Sequence, residues 1–136
     1  MIGKARTITL LVISITLVLL VVGCGDSSGG APNYSDGTYN GVSEDGNAAV
    51  TVLIANGAIE AVEIEELDRD GNVKDIETYL VCVDDDQEPL LAEAHPALIE
   101  QIIAKNSADI DTFTGATGTS SSVREATENA LQAAIQ

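Results

Sequence analysis

Basic residues are scarce in this chain. Six Lys and Arg stand against 22 Asp and Glu, a formal charge of −16 over 136 residues. Binding a phosphate backbone needs clustered cations that release counterions, so the deficit argues against nucleic acid as a partner. The same field repels anionic lipid surfaces. Cysteine is scarce too: Cys24 and Cys82 make no disulfide framework, and their spacing fits no zinc site. Cys82 reads as a small apolar residue, because a reactive thiol needs an electropositive neighbourhood. The one histidine, His95, has no Ser, Cys or carboxylate at an identifiable motif spacing, which excludes a recognisable catalytic triad. Its place before Pro96 predicts an exposed position at the start of a helix. Aromatic residues make up only 3%, and the length holds one domain at most.

Long apolar runs are also missing, with one exception. Residues 8 to 22 read ITLLVISITLVLLVV, preceded by Lys4 and Arg6 and followed by Gly23 and Cys24. A positive start, a short apolar stretch and small residues at the exit define a secretory signal, and 15 residues fall short of the ~20 that a spanning helix needs. Its end, Val21-Val22-Gly23-Cys24, resembles the lipobox of bacterial lipoproteins. That resemblance implies a signal peptide over 1–23, with Cys24 lipidated and the mature protein held to the outer face of the cytoplasmic membrane. An uncleaved N-terminal anchor helix is the alternative reading. Residues 1–23 contain both Lys4 and Arg6 and no acid, so the remaining 113 residues carry 4 basic and 22 acidic residues, a formal −18. Such self-repulsion costs stability that salt or cations relieve.

Residues 24–35 follow as a Gly/Ser tether, spanning about 15 to 20 Å by random-coil scaling, and the folded domain is expected over 36–136. Asp36 to Ser43 predicts a short strand carrying Tyr39 and Val42. Asn47 to Ile54 is rich in β-branched residues and predicts a second strand. Asn56-Gly57 is a hairpin signal, after which Ile59, Val62 and Ile64 continue the apolar pattern. A three-residue loop closed by a bulge at Gly57 would set Val50 opposite Val62. Glu60, Glu63, Glu65 and Glu66 read as a solvated sheet face. Beyond Asp70-Gly71, alternation from Ile76 to Val83 predicts another strand, ended by Asp84-Asp85-Asp86. A helix is expected from about Pro96 to Ala104. A last helix follows Ser122-Val-Arg-Glu125, which has the form of a capping box, with Val123, Ala126, Ala130, Leu131, Ala134 and Ile135 as its apolar stripe. The predicted class is α+β, a small antiparallel sheet with two helices packed on it.

The most informative segment is Asp111-Thr-Phe-Thr114-Gly115-Ala116-Thr117-Gly118-Thr119-Ser120-Ser121-Ser122. Hydroxyls and two glycines just ahead of a helix favour a phosphate, since free N–H groups and the positive end of the dipole point there. The plainer reading is a Ser/Thr-rich cap. DxxTGATGTSSSVREATENAL also resembles the signature DxxSGATxTS of the FMN-binding domain family, covalently flavinylated modules of extracytosolic electron transfer. These include the flavin-carrying subunits of sodium-pumping quinone reductases. Asp36-Gly37-Thr38-Tyr39 resembles the family's opening DGTY, and the Asn56-Gly57 hairpin its counterpart. The likeness spans roughly 36–135. It implies that Thr117 carries FMN through a phosphoester installed by a flavin transferase. Asp111, Thr114, Gly115, Ala116, Thr119 and Ser120 match the rest of the motif. The family's His-x-Glu-Thr-Pro-Gly stretch is echoed only by Glu77-Thr78. Tyr79, Leu80 and Leu90 are candidates for the ring pocket, and Phe113 for either the core or a stacking position.

Two functions follow from these residues. One is a lipid-anchored flavoprotein that relays electrons between redox proteins or quinones, a carrier more than an autonomous catalyst. The other is a cofactor-free surface binding module. For that second reading, Glu66-x-Asp68-x-Asp70-Gly71 with Glu77 has the form of a calcium loop with Glu in first place. Its flanks read as strands, however, and Asp-Gly is an ordinary turn.

Overall fold

The computed structural model describes residues 32–79 and 90–135. Cys24, Leu80, Cys82 and the Asp84 to Asp86 run lie outside them. Three strands, β1 (Gly37–Val42), β2 (Ala48–Ala55) and β3 (Ala58–Glu66), form an antiparallel sheet in the order β1-β2-β3. Two helices follow, α1 (Leu90–Lys105) and α2 (Thr117–Ala134). This is the expected α+β class. No helix among the described residues is long and apolar enough to cross a membrane.

The β2–β3 hairpin turns through two residues, not three. Asn56 and Gly57 both take positive φ, 54° and 75°, which gives the turn the twist of the flanking strands. Ala55 then pairs with Ala58, a bulge falls at Leu53/Ile54, and Val50 pairs with Ile64 while Val52 pairs with Val62. The expected pairing of Val50 with Val62 is therefore off by two residues. A shift of two preserves the inward face, so the apolar side is as read. Val50, Val52, Ile54 and Ile59 are buried on it.

Helix α2 lies on β1 and β2, and α1 on β3. The contact of α2 with β1 is unusually close, because Gly41 lies directly against the α2 backbone at Ala126 and Ala130. A Cβ on Gly41 would sit 2.0 Å from the Ala126 carbonyl oxygen and 2.4 Å from the Ala130 nitrogen. Val123, Ala126, Thr127, Ala130, Leu131 and Ala134 are the buried stripe of α2. Ile135 leaves that stripe: it is 55% exposed and pairs with Tyr34 in an isolated bridge. The packing thus reaches back to Tyr34, which is buried, and to Ser35, whose N–H donates to the Ala134 carbonyl.

Helix α1 begins six residues before Pro96, not at it. Proline lacks the N–H that would reach the Ala92 carbonyl, a loss that costs about 3 kcal/mol in a helix interior. Burial of Leu91, Ala94, Leu98 and Ile102 on one face offsets it, at roughly 1.5 to 3 kcal/mol for each large side chain. Asn106 ends α1 in the left-handed region and its Oδ1 accepts the Ile59 N–H at 2.7 Å, tying the helix end to the hairpin. The strand expected from Ile76 is absent over the described part, where Ile76 to Thr78 form a turn. Helix α2 also starts earlier than the capping box implies. Ser122 is its sixth residue, and the first turn begins at Thr117.

Gly41→Ala is expected to destabilise the domain by about 3 kcal/mol, since backbone on both sides must move. Gly118→Ala, where a Cβ meets nothing within 4 Å, should be neutral or stabilise by ~0.5 to 1 kcal/mol. Urea unfolding of the two variants checks the contrast.

Candidate functional site

The start of α2 faces a cavity of about 620 Å³, within the ~300 to 1,000 Å³ usual for small-ligand sites. Four segments line it. Gly115, Ala116, Thr117, Gly118, Thr119, Ser121 and Ser122 come from the α2 start, and Glu44, Asp45 and Asn47 from the β1–β2 turn. The end of β3 and the residues after it supply Glu66, Asp68, Arg69, Lys74 and Tyr79, and α1 supplies Leu91.

The loop before α2 is held by its own backbone. Gly115 has φ +88°, a conformation that favours glycine, and a Cβ there would come within 2.9 Å of Leu90 Cδ2, whose side chain would have to shift. Ser120 is buried; its hydroxyl accepts the Phe113 N–H at 2.9 Å and donates to the Ala116 carbonyl at 2.7 Å. Phe113 packs against the core cluster. Ala116 precedes the helix with no side-chain cap. The N–H groups of the first helical residues, Thr117, Gly118 and Thr119, therefore have no intrahelical acceptor, and the Thr117 side chain is exposed beside them. Ser122, read as a cap, serves another purpose: its hydroxyl donates to Asp45 Oδ2 at 3.1 Å. Asp45 also accepts from the Ser43 hydroxyl and from the N–H and Nδ2 of Asn47. Donors from Ser43, then Asn47 and Ser122, hold its carboxyl down at about 2.

Opposite Thr119 the cavity floor is a buried acid. Glu66 pairs with Ala48, on the same inward parity as Val62 and Ile64, and is 3% exposed. The solvated face expected of the glutamates holds for Glu60, Glu63 and Glu65 and fails for Glu66. A tight turn at Asp68 to Gly71 folds the chain back, so that the Lys74 N–H reaches the Glu66 carbonyl and Lys74 Nζ reaches Glu66 Oε2, each at 2.8 to 2.9 Å. The ammonium sits 4.7 Å from the Tyr79 ring centroid, a cation–π distance. From α1, His95 Nε2 lies 3.5 Å from Glu66 Oε1. His95 is thus buried at 3% exposure, contrary to the exposed helix start expected of it. Burial pushes the Glu66 carboxyl up, but His95, the Lys74 ammonium and the Thr119 hydroxyl together outweigh it and hold it below its usual range.

These contacts also dispose of the calcium-loop form. Its first ligand, Glu66, is buried and bound to Lys74, and Asp68 Oδ1 accepts the N–H groups of Asp70 and Asn72 in an ordinary Asx turn.

Of the motif residues, Gly115, Ala116, Thr117 and Thr119 line the cavity together. Ser120 supports the loop from within. Thr114 is exposed, and Asp111 points to the surface, where its carboxylate meets Lys105 Nζ at 3.2 Å. Tyr79 is on the cavity wall, and Leu90 packs over Gly115. Asp45, Glu66, Lys74 and His95 carry no motif of their own. For Glu66, strand parity with Val62 and Ile64 was the available signal.

The arrangement defines a small α+β domain whose uncapped helix start and exposed threonine border a ligand-sized cavity. The family model of the FMN-binding domain matches residues 41–132, and the chain belongs to that family. The crystal structure of the CPE2226 protein from Clostridium perfringens is similar, with a TM-score of 0.59 and 27% identity over 74% of this chain and 88% of that one. No curated protein is a significant match.

Glu66→Ala is expected to cost about 3 kcal/mol, because it leaves Lys74 and His95 without their shared partner. Glu66 binds protons less readily folded than unfolded. Its contribution is therefore complete above the ordinary carboxylate range and lost as pH falls through its depressed folded value. Acidification also relieves the general negative repulsion, so the readout is the difference between wild type and Glu66→Gln. Thermal unfolding midpoints should converge as pH drops from about 6 to about 3.

Proposed function

We propose that this domain is a lipid-anchored, extracytosolic electron carrier whose FMN is joined to Thr117 by a phosphoester. Flavin binding follows from membership of the family; attachment, anchoring and electron relay are the further steps of the proposal. The observation that carries it is the exposed Thr117 hydroxyl at the first position of an uncapped helix, on the rim of the cavity.

The donor set suits the group. Free N–H groups at Thr117, Gly118 and Thr119, with the positive end of the α2 dipole, favour a phosphate in an otherwise acidic protein. Lys74, steadied by Glu66 and Tyr79, and Arg69 add cations on the cavity wall. Gly115, at positive φ and close under Leu90, sets the course of the loop that presents Thr117. A threonine hydroxyl is a weak nucleophile at its free pKa, so a separate flavin transferase with a metal ion supplies the activation. When bound, the flavin supplies one- and two-electron chemistry, while the protein binds and tunes it. Lipidated Cys24 and the tether after it hold the domain at the outer face of the cytoplasmic membrane, within reach of redox proteins or quinones.

Exported with an active flavin transferase, wild-type protein is expected to fluoresce as a flavin band in a denaturing gel, and Thr117→Ala to give none. Gly115→Ala should weaken the band severalfold. Dark lanes throughout, with the transferase active on another substrate, contradict covalent attachment and leave non-covalent flavin or the cofactor-free module.

A further inference from the structure

Beneath the cavity floor, to which Glu66 belongs, two buried polar atoms face each other without bonding. Glu66 Oε1 and His95 Nε2 are 3.5 Å apart, on side chains 2% and 4% exposed, and neither has a hydrogen-bond partner among the described residues. Lys74 Nζ already balances the Glu66 charge through the other carboxylate oxygen. The groups that face this pair come from every element around it: Lys74 from the segment after β3, His95 from α1 and the Thr119 hydroxyl from α2. Asp45, Asp68, Arg69 and Glu125 stand further out on the cavity wall.

With a neutral imidazole the Lys74, Glu66 and His95 trio sums to no net charge, and with the ring proton on Nδ1 it leaves Oε1 without a donor. A proton added at Nε2 becomes a charge-assisted hydrogen bond to Oε1 once the gap closes to the ~2.7 to 2.9 Å of such bonds. Electrons entering the cavity bring negative charge near this buried pair, and negative charge nearby favours protonation of the imidazole. We propose that the Glu66 and His95 pair is a redox-linked proton site, in which His95 takes a proton from solvent when electrons enter the flavin cavity and releases it when they leave. The electrons come from an external reductant, a redox protein or quinol in the cell and dithionite in the assay. The only protein bond formed is N–H at His95 Nε2, and none is broken. This rests on the reading that the cavity holds flavin.

Since His95 is the only histidine, its ring ¹⁵N signals are unambiguous in the full chain. They would be recorded at one pH near 6.5, before and after anaerobic dithionite reduction of flavin-loaded protein. The expected result is movement toward imidazolium shifts on reduction and return on reoxidation. Flavin-free wild type should show no response to dithionite. Flavin is quantified by absorbance on each sample. A sample without flavin overturns the functional reading together with this proposal. Loaded wild-type protein whose His95 signals ignore the redox state overturns the proposal alone, and that comparison needs no variant to fold.

Discussion

The architecture around the cavity converges on one buried carboxylate. Glu66 is carried inward by strand parity, and an ionised group in that position needs partners, because burying an unpaired charge costs several kcal/mol. Each neighbouring element supplies one. The tight turn after β3 returns Lys74, α1 presents His95, and the first turn of α2 brings Thr119. The acid thereby fixes the mutual placement of the segments that border Thr117. An apolar residue at position 66 would satisfy the strand and leave the cavity floor without its charges.

Close packing sets the other boundary. Gly41 and the small side chains of α2 let the helix lie against β1, and this contact determines where α2 begins relative to the sheet. Because Ser122 is engaged by Asp45 and Ala116 contributes no cap, the helix opens with free N–H groups at Thr117, Gly118 and Thr119. A natural helix usually covers these donors with Ser, Asp or Asn at the cap. Leaving them open costs stability, and an anion at the same place recovers it. The proposed phosphate site and the open helix start are the same feature.

Much of the fold was legible in local chemistry. Asn56-Gly57 announced the hairpin, β-branched runs announced β2 and β3, and the stripe from Val123 to Ala134 announced α2. The errors share a cause, in that local rules were overruled by tertiary contacts. Pro96 did not start α1 because an apolar face already ran from Leu91. Ser122 did not cap α2 because the helix packs from Thr117 onward and Asp45 claims the hydroxyl. The turn loop was one residue shorter than expected, with the bulge placed further along the ladder. In the site, the motif around Thr117 was legible and its surroundings were not. Asp45, Lys74 and His95 are brought to it from distant positions, and in an isolated sequence a glutamate among glutamates looks solvated. Asp111, by contrast, belongs to the motif and faces the surface.

Peptide mass mapping tests the central claim most directly. Cleavage after Lys105 and Arg124 releases residues 106–124, a single peptide that contains Thr112, Thr114, Thr117, Thr119 and the serines from 120 to 122. The account predicts that this peptide from flavin-loaded protein carries one FMN, and that fragmentation locates it on Thr117. FMN on another of these hydroxyls, or an unmodified peptide from protein that still binds flavin, contradicts it.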